Sequence, residues 1–383
     1  MLHQTLQAAG YLSILVMPVL LALGMYTGHQ WLAVATLFGI TPLLRVLAGD
    51  VRSEPVLWRE GLSRFLHVLP HVYAVFLFAA VAYCAWKLNR AAPLTTGELF
   101  TFAASLWSTL LTATVPAHEL IHRPDRMSQR TARWILGVAG YPILSHEHVG
   151  HHKGHSSRAE WALATENIYV YSVRQIRTSL QNVWERDQFL RAKKGHGVLR
   201  GELFEAVFVT LLTASVFTLA AGMKGLALYA AMVPLMFFFI QLMAYIQHWG
   251  LGEANAEGLA KRPFGWEDAC QVQAWLTLNL SFHESHHRTP STPFYRLLIS
   301  KNSPRLPAGY VVMMVAAFFP PVWRRLMAPA LRHWQACPDQ PLSVGRTLVC
   351  VNLNSLAPSS ASENAESARS PSQAWEPPPA SPG

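Results

Sequence analysis

The amino-acid sequence predicts an all-α fold, a polytopic membrane protein of six transmembrane helices with a histidine-rich cytoplasmic region. Hydrophobic residues make up 51% of the 383 residues and charged residues only 14%, against roughly a quarter charged in soluble chains. The charged residues lie between long stretches that carry almost none, and histidines gather at the ends of some of these stretches. The net charge of +9 fits the basic loops of a membrane protein and requires no nucleic-acid partner.

Six stretches are apolar enough and long enough to cross about 30 Å of hydrocarbon as helices of roughly 20 residues. They cover residues 8–26, 31–48, 66–88, 99–117, 203–223 and 225–246. The first has no basic segment before it and exceeds the length of a signal peptide's apolar part, so we interpret it as a span. A seventh stretch, 310–319, is short and is predicted to lie at the membrane interface.

The orientation follows from the placement of positive charge. Lys and Arg crowd the connections at 45–64, 123–200 and 261–262, whereas the opposite connections hold only Lys87, Arg90 and Lys224. Basic loops of membrane proteins face the cytoplasm. We therefore expect a protein of the inner (cytoplasmic) membrane whose N-terminus and histidine groups are cytoplasmic.

Nine of the 17 histidines fall in four groups, which lie at 118–122, within 146–155, at 248 and at 283–287. Histidines three or four residues apart share one helix face, so an H-x-x-H-H group can serve two metal ions from a single turn. Nine ligands exceed what a four-coordinate zinc ion needs and fit two ions. The nine candidate ligands are His118, His122, His148, His151, His152, His248, His283, His286 and His287.

The identity of the metal and the roles of the neighbouring residues follow less directly from the sequence. Imidazole binds Zn, Cu, Fe and Ni, so the residue type alone does not name the metal. Carboxylates next to the groups could accept hydrogen bonds from ligand rings and orient them; the candidates are Glu119, Glu147, Glu166 and Glu284. His146 and His155 flank the second group, and the sequence assigns them no role.

The same residues are also compatible with two other classes of protein. The H-E-L-I-H segment at 118–122 also matches the H-E-x-x-H motif of zinc metalloproteases, whose glutamate is the general base. That class leaves His248 and both H-x-x-H-H groups without a role. A metal-transport protein is the second class, but transport sites usually lie near the bilayer midplane within repeated halves, and the sequence has no visible repeat.

Not every histidine pair is a candidate site. His67 and His71 also stand four apart on the predicted cytoplasmic side, but Pro70 lies between them and neither an acidic neighbour nor a histidine doublet accompanies them. We interpret them as interfacial residues. The four cysteines form no C-x-x-C pair, which argues against a zinc ribbon or a fused rubredoxin module.

The C-terminal part of the chain has a different composition. Ser, Pro, Ala and Glu dominate residues 336–383, and such a segment cannot bury enough apolar surface to fold. We therefore predict a membrane domain over residues 1–335 followed by a disordered tail.

Four segments resemble the membrane-bound alkane 1-monooxygenases, within the superfamily that includes the xylene monooxygenase hydroxylase component and the integral-membrane fatty acid desaturases. They are P-A-H-E-L-I-H-R at 116–123, E-H-V-G-H-H at 147–152, A-Y-I-Q-H-W-G-L at 244–251 and H-E-S-H-H at 283–287. E-N-I-Y at 166–169 and L-P-A-G-Y at 306–310 extend the likeness over about residues 10–335. The H-W-G element and the L-P-A-G-Y segment favour the hydroxylases over the desaturases.

The resemblance implies a monooxygenase that uses O2 to hydroxylate an apolar substrate from the bilayer, such as an alkane, an alkyl chain or an alkylarene. A fatty acid desaturase-type enzyme is the alternative. It also implies two non-haem iron ions held by the nine histidines, and a rubredoxin or ferredoxin with its reductase as a separate electron donor. His148 stands one residue closer to the following doublet than is usual in the alkane enzymes, and Arg45 takes the place of a usual aspartate. These departures leave the ligand types intact and weaken the expectation of a linear alkane.

Overall fold

The structure is a computed structural model that describes residues 2–51, 54–90, 92–152, 161–252, 263–301 and 303–336, without the side chains of Leu2, His151, His152 and Ala336. Within these ranges all regular structure is helical, apart from two isolated β-bridges, Asp50 with Cys270 and Glu267 with Arg305. The all-α prediction is therefore confirmed for the described chain. Residues 337–383 lie outside it, so the disordered tail stays a prediction.

Four helical segments are long and apolar enough to cross a membrane: His3–Thr27, Glu60–Arg90, Thr96–Ile121 and Glu202–His248. The first consists of α1 (Leu2–Tyr11), a 3₁₀ turn (Leu12–Leu15) and α2 (Val16–Thr27). The others are α5 (Glu60–Arg90), α6 (Thr96–Ile121) and α10 (Glu202–His248). A capping box between Thr95 and Glu98 fixes the start of α6. Their length and composition indicate a membrane protein.

The predicted second span is shorter in the structure. It consists of α3 (Leu32–Ala35), a π-helical turn (Thr36–Ile40) and α4 (Thr41–Ala48). Together they form a continuous apolar helix that is shorter than the other four. Short π segments often mark functional positions in helices, and this one lies beside the cavity described below.

The 47 residues of α10 contain a reversal of the chain. Ala221 and Gly222 leave the helical conformation, and Gly222 adopts a φ of 61°. Phe217 and Tyr229 stack with ring centroids 5.7 Å apart, although residues twelve apart in a straight helix are separated by about 18 Å. A Cβ at Gly225 would lie 2.0 Å from the Phe217 carbonyl oxygen, so the turn requires glycine there. α10 thus consists of two arms, 202–220 and 223–248, which match the predicted fifth and sixth spans.

The remaining helices surround the histidine groups. They are α7 (Arg126–Val138), α8 (Leu144–His152), α9 (Ile168–Lys194), α11 (Gln271–Leu276), α12 (His283–Arg288), α13 (Tyr310–Ala317) and α14 (Pro320–Ala336). α7 packs on α6 and α10, and α9 packs on α8 and α10. The described histidines of the four groups consequently lie at the end of α6, on α8, at the end of α10 and on α12.

Candidate metal centre

In the structure, the described candidate ligands form two spatial groups. The first of these groups joins three helices. His118 lies in the last turn of α6, His122 is the residue that follows this helix, His148 lies on α8 and His286 on α12. One ring nitrogen from each lies within 4.8 Å of the others, and the Nε2 atoms of His122 and His148 are 2.9 Å apart. Residues up to 168 positions apart in the sequence therefore meet at one point that could hold a metal ion.

The second group joins the end of α10 to α12. The Nε2 atom of His283 lies 3.2 Å from Nε2 of His248 and 3.0 Å from Nε2 of His287. These three nitrogens also lie within 4.8 Å of one another. The rings of His248 and His283 are 4.8 Å apart, centroid to centroid. This group could hold a second metal ion.

Helix α12 contributes to both groups. His283 and His287, four residues apart, belong to the second group, whereas His286 belongs to the first. The ring of His286 lies 6.3 Å from that of His283 and 5.9 Å from that of His287. The structure thus has the arrangement expected from H-x-x-H-H spacing, in which one turn presents histidines to two adjacent positions.

The chemistry of the second group fits a cation. The carbonyl oxygen of Phe264 lies 2.8 Å from Nδ1 of His248, so this nitrogen must carry the ring proton of a neutral imidazole. Nε2 of His248 then carries the free lone pair of the ring and lies 3.2 Å from Nε2 of His283. In the first group, burial lowers the pKa of His122 to about 4, so this imidazole is neutral at pH 7. Neutral imidazoles with converging lone pairs are the donor set that a divalent transition metal binds.

The described segment before α11, residues 263–270, braces the second group. Phe264 accepts from His248 through its carbonyl and donates its backbone N–H to the Glu284 carboxylate. Its ring stacks on His287 at 5.7 Å. Arg288 binds Glu284 at 2.6 Å and lies over the Phe264 ring. Glu284 therefore supports the histidines through Phe264, as hydrogen-bonded neighbours of metal ligands commonly do.

The other three candidate carboxylates bind different partners in the described structure. Glu119 pairs with Arg123 at 3.3 Å, and Glu166 pairs with Arg174 at 2.8 Å. Glu147 accepts hydrogen bonds from Tyr141, Gln241 and Ser179. Within the described contacts, Glu147 links α8 to α9 and α10, whereas Glu119 and Glu166 each pair with an arginine close to them in the sequence. A direct role for the three in orienting ligand rings stays a prediction.

Two of the nine candidate ligands and one flanking histidine cannot be placed here. The side chains of His151 and His152, and the whole of His155, lie outside the described part of the chain. His146 is buried and belongs to neither described group, and its Nε2 lies 3.8 Å from Asp187. His71 lies 3.1 Å from the Ser128 hydroxyl, so that pair is separate from the centre, as expected.

Sequence reasoning missed two residues that touch the centre. Trp161 stacks on His248 with ring centroids 5.0 Å apart and planes at 23°. Gly265 lies against the His283 ring, because a Cβ at this position would be 2.4 Å from Cδ2 of that ring. Both stand in loops, where no periodic pattern reveals which side chains face a site. The signal available in the sequence was their position in the chain. Trp161 follows the histidines of residues 146–155, and Gly265 lies between His248 and His283.

A methyl group at residue 265 tests this close contact. We expect Gly265→Ala to push the His283 ring out of position, lower metal occupancy of the second group and destabilise the fold by about 1–3 kcal/mol, the usual effect of overpacking. Metal analysis of the purified variant and its thermal unfolding in detergent would measure both effects. Gly61→Ala is the matched control, because its Cβ would meet open space. Unchanged metal content in Gly265→Ala would contradict the contact.

A cavity of about 870 Å³ adjoins both groups. Four histidines from the two groups line it: His118, His148, His248 and His283. Its other wall is largely apolar and comes from five helical segments, with Met17, Leu37, Leu111, Ile240 and Met314 as representatives. These residues come from the first, second and sixth predicted spans and from α6 and α13. An apolar molecule could therefore reach both histidine groups.

These features together define a helical membrane protein with paired histidine sites at an apolar cavity. The Fatty acid desaturase family model matches residues 91–317, which is more than half of the chain, and the chain belongs to this family. It is similar to alkane 1-monooxygenase 2 of Pseudomonas aeruginosa, at 25% identity over 80% of this chain and 85% of that protein. It is also similar to alkane 1-monooxygenase 1 of Alcanivorax borkumensis, at 27% identity over 78% of this chain and 76% of that protein.

A more distant likeness joins the chain to the xylene/toluene monooxygenase hydroxylase component of Pseudomonas putida. The two are 23% identical over 83% of this chain and 88% of that protein. The resemblance to alkane monooxygenases within the desaturase and xylene monooxygenase superfamily is thereby confirmed.

Proposed function

We propose that this chain is an integral-membrane monooxygenase that inserts one oxygen atom of O2 into a C–H bond of an apolar substrate. The observation that carries the proposal is the pair of histidine groups on the wall of a largely apolar cavity. The relatives at this level of similarity are named as alkane and xylene/toluene monooxygenases. The reaction consumes O2, two electrons and two protons, and yields the alcohol and one water.

The metal ligands would be the nine histidines of the four groups. His118, His122, His148 and His286 would hold one ion, and His248, His283 and His287 the other. His151 and His152 would complete the two sets. Iron is the metal we propose, since an all-histidine donor set accepts it, and two iron ions, when bound, would supply the reduction and cleavage of O2. Electrons would come from a separate rubredoxin or ferredoxin with its reductase.

The protein's own residues would bind and orient the reactants. Leu111, Ile240 and Met314 line the cavity with apolar surface, which favours an alkyl chain over water. Trp161 and Phe264 hold the His248 ring between a stacking contact and a hydrogen bond. An imidazole that is already held in place needs to move less when a metal ion binds to it.

We also propose the finer membrane topology. The two arms of α10 and the short helix Leu32–Ala48 would join the other three long helices to give six spans. The basic connections support an inner-membrane protein whose N-terminus and histidine groups are cytoplasmic. A cytoplasmic centre would be accessible to a soluble electron carrier.

The alternative functions have less support. A desaturase-type reaction is not favoured, because the similar proteins are hydroxylases. A zinc protease would use Glu119 as its general base, but this carboxylate pairs with Arg123, and both histidines of the H-E-L-I-H segment lie in a group with two histidines from other helices.

Turnover by the reconstituted protein tests the proposal. Full-length protein loaded with iron, with a rubredoxin or ferredoxin, its reductase and NADH, should consume O2 and form an alcohol from dodecane or an alkylbenzene. Mass spectrometry with ¹⁸O2 should find the label in the product. A preparation with one zinc per chain that cleaves a membrane peptide would refute the proposal, as would formation of an alkene alone.

A further inference from the structure

Helix α9 (Ile168–Lys194) has one buried face and one exposed face. The side chain of Asn167 caps its first turn, and Gly195 ends it in the left-handed conformation. Its buried residues recur every three or four positions from Ile168 to Asp187, which is the period of one helix face. This face packs on α8 and α10 and lines the cavity. The other side of α9 is exposed within the described part of the chain.

Large apolar side chains occupy much of this exposed side. Val170, Val173, Leu180 and Trp184 are 56%, 74%, 46% and 52% exposed, and we name them the apolar stripe. At 100° per residue they point within about 80° of one another. Protein surfaces in contact with water rarely carry an apolar strip of this length without a binding role. An apolar medium or an apolar partner should therefore cover the stripe.

Basic residues accompany the apolar stripe. Residues 168–201 hold seven Lys and Arg against two acidic residues. Arg177, Lys193 and Arg200 are exposed and make no ion pair within the described contacts. Arg177 stands between Val173 and Leu180, on the same side of the helix. Apolar side chains bordered by Lys and Arg are typical of a helix that lies in the membrane interface, where the long basic side chains reach the headgroups.

α9 lies across both arms of α10. Near its first turn, Tyr169 stacks on Phe238 of the second arm at 6.4 Å, and its last residue, Lys194, binds Glu202 of the first arm at 2.7 Å. Measured along the arms from the stacked aromatic pair at the chain reversal, Glu202 stands about 22 Å and Phe238 about 14 Å away. The ends of α9 thus differ in depth by only about 8 Å, against a helix length of about 40 Å. α9 therefore runs along the membrane surface, close to the level at which the first arm begins.

The exposed apolar surface continues from α9 into the first arm of α10. The 3₁₀ turn Val198–Arg200 joins the two helices, and its Val198 and Leu199 are 53% and 75% exposed. Phe208 and Leu211 are exposed on the arm itself, which belongs to one of the four helical segments long and apolar enough to cross a membrane. Lipid covers such an arm. Because the stripe, the turn and the arm follow one another, we infer the same cover for all three.

We propose that α9 and the turn after it bind the surface of a bilayer that contains anionic phospholipids. The apolar stripe would rest at the boundary between headgroups and acyl chains, with Val198 and Leu199 beside it. Arg177, Lys193 and Arg200 would bind the phosphate groups. This interaction goes beyond the proposed function and does not depend on the reaction.

Spin labels measure whether the stripe meets lipid. Full-length protein in nanodiscs of equal parts phosphatidylcholine and phosphatidylglycerol would carry one nitroxide, introduced at Val173→Cys or Leu180→Cys. Cys337→Ser and Cys350→Ser remove the other reactive thiols, since the two remaining cysteines are buried. Both labels should collide more often with O2, which concentrates in lipid, than with a water-soluble nickel chelate. Glu185→Cys is the matched control, because it is exposed on the same helix but points about 100° away from Trp184.

The outcomes of this experiment separate the possible covers of the stripe. Preferential collision with O2 at residues 173 and 180, and with the nickel chelate at residue 185, would support the lipid surface. Equal access of the nickel chelate at all three positions would overturn the proposal, because the stripe would then face water. Dipolar broadening between labels at residue 173 would identify a contact with a second copy of the chain and would also overturn it.

Removal of basic residues tests the preference for anionic lipid. The wild type should unfold at a higher temperature in the mixed nanodiscs than in phosphatidylcholine alone. Arg177→Gln combined with Lys193→Gln should lose at least about half of this gain, since each basic residue near an anionic surface strengthens association about fivefold.

A second double variant controls for the loss of charge alone. Arg296→Gln combined with Lys301→Gln removes two exposed basic side chains between α12 and α13 and should keep the wild-type gain. No gain in the wild type would overturn the proposal. An equal loss in the two double variants would overturn it as well, because the effect would then reflect net charge rather than the surface of α9.

Discussion

Replacing His283 with alanine should remove one of the two metal ions and abolish hydroxylation. Its Nε2 lies within 3.2 Å of the corresponding nitrogens of His248 and His287, so the second group would keep only two described histidines, too few for a tight site. Removing a residue that merely orients a ligand typically lowers metal affinity or activity about 10–100-fold. The loss of a ligand should exceed that range. Iron content per chain and the rate of alcohol formation measure the two effects.

The control for this variant is another histidine with the same spacing. His71→Ala removes one member of an i, i+4 pair that contacts Ser128 rather than either histidine group. It should retain full metal content and activity. Wild-type iron content in His283→Ala, with the fold intact by circular dichroism, would show that this group is not a metal site.

Breaking the buried ion pair between Arg45 and Asp268 should have the largest effect on stability. Arg45 binds both carboxylate oxygens, at 2.5 and 2.7 Å, and the two residues are 8% and 2% exposed. Arg45→Met would leave a buried carboxylate without its cation, which typically destabilises a fold by about 3–5 kcal/mol. Thermal unfolding of the purified variant in detergent measures this change. We also expect metal loss, because Asp268 belongs to the loop that braces His248 and His283.

Two variants make this experiment specific. Arg45→Met combined with Asp268→Leu removes both charges and should recover most of the stability, since buried ion pairs replaced by apolar residues are often neutral or better. Arg64→Met breaks an exposed ion pair with Glu60 and should change stability by no more than about 1 kcal/mol. If the double variant is as unstable as Arg45→Met, the charge of Asp268 is not the cause.

Helical periodicity explains what the sequence predicted well. Spacing within a helix fixes which side chains share a face, so the division of His283, His286 and His287 between two positions followed from their numbering. The break in α10 was equally predictable. Lys224 and the glycines on either side of it separate two apolar runs, and the structure reverses the chain there.

The sequence did not predict which segments that are far apart along the chain contact each other. The position of His248 in the sequence does not indicate that it groups with His283 and His287 rather than with His118. Arg45 was counted among the basic residues of a cytoplasmic loop, yet its side chain is buried against Asp268. Phe264, Gly265 and Trp161 act from loops, whose conformation depends on the surrounding tertiary structure rather than on a local repeat.

The sharing of α12 by both histidine groups has a consequence for how the protein can vary. His286 and His287 are adjacent, so their directions differ by about 100° around one short axis. The pitch of a single turn therefore sets the separation of the two candidate metal positions. The spacing of the histidines within residues 148–152, which lie on another helix, can therefore change without altering that separation. One residue inserted between His283 and His286 would instead rotate one set of ligands away from the other. In such a chain the two positions could no longer act as a pair.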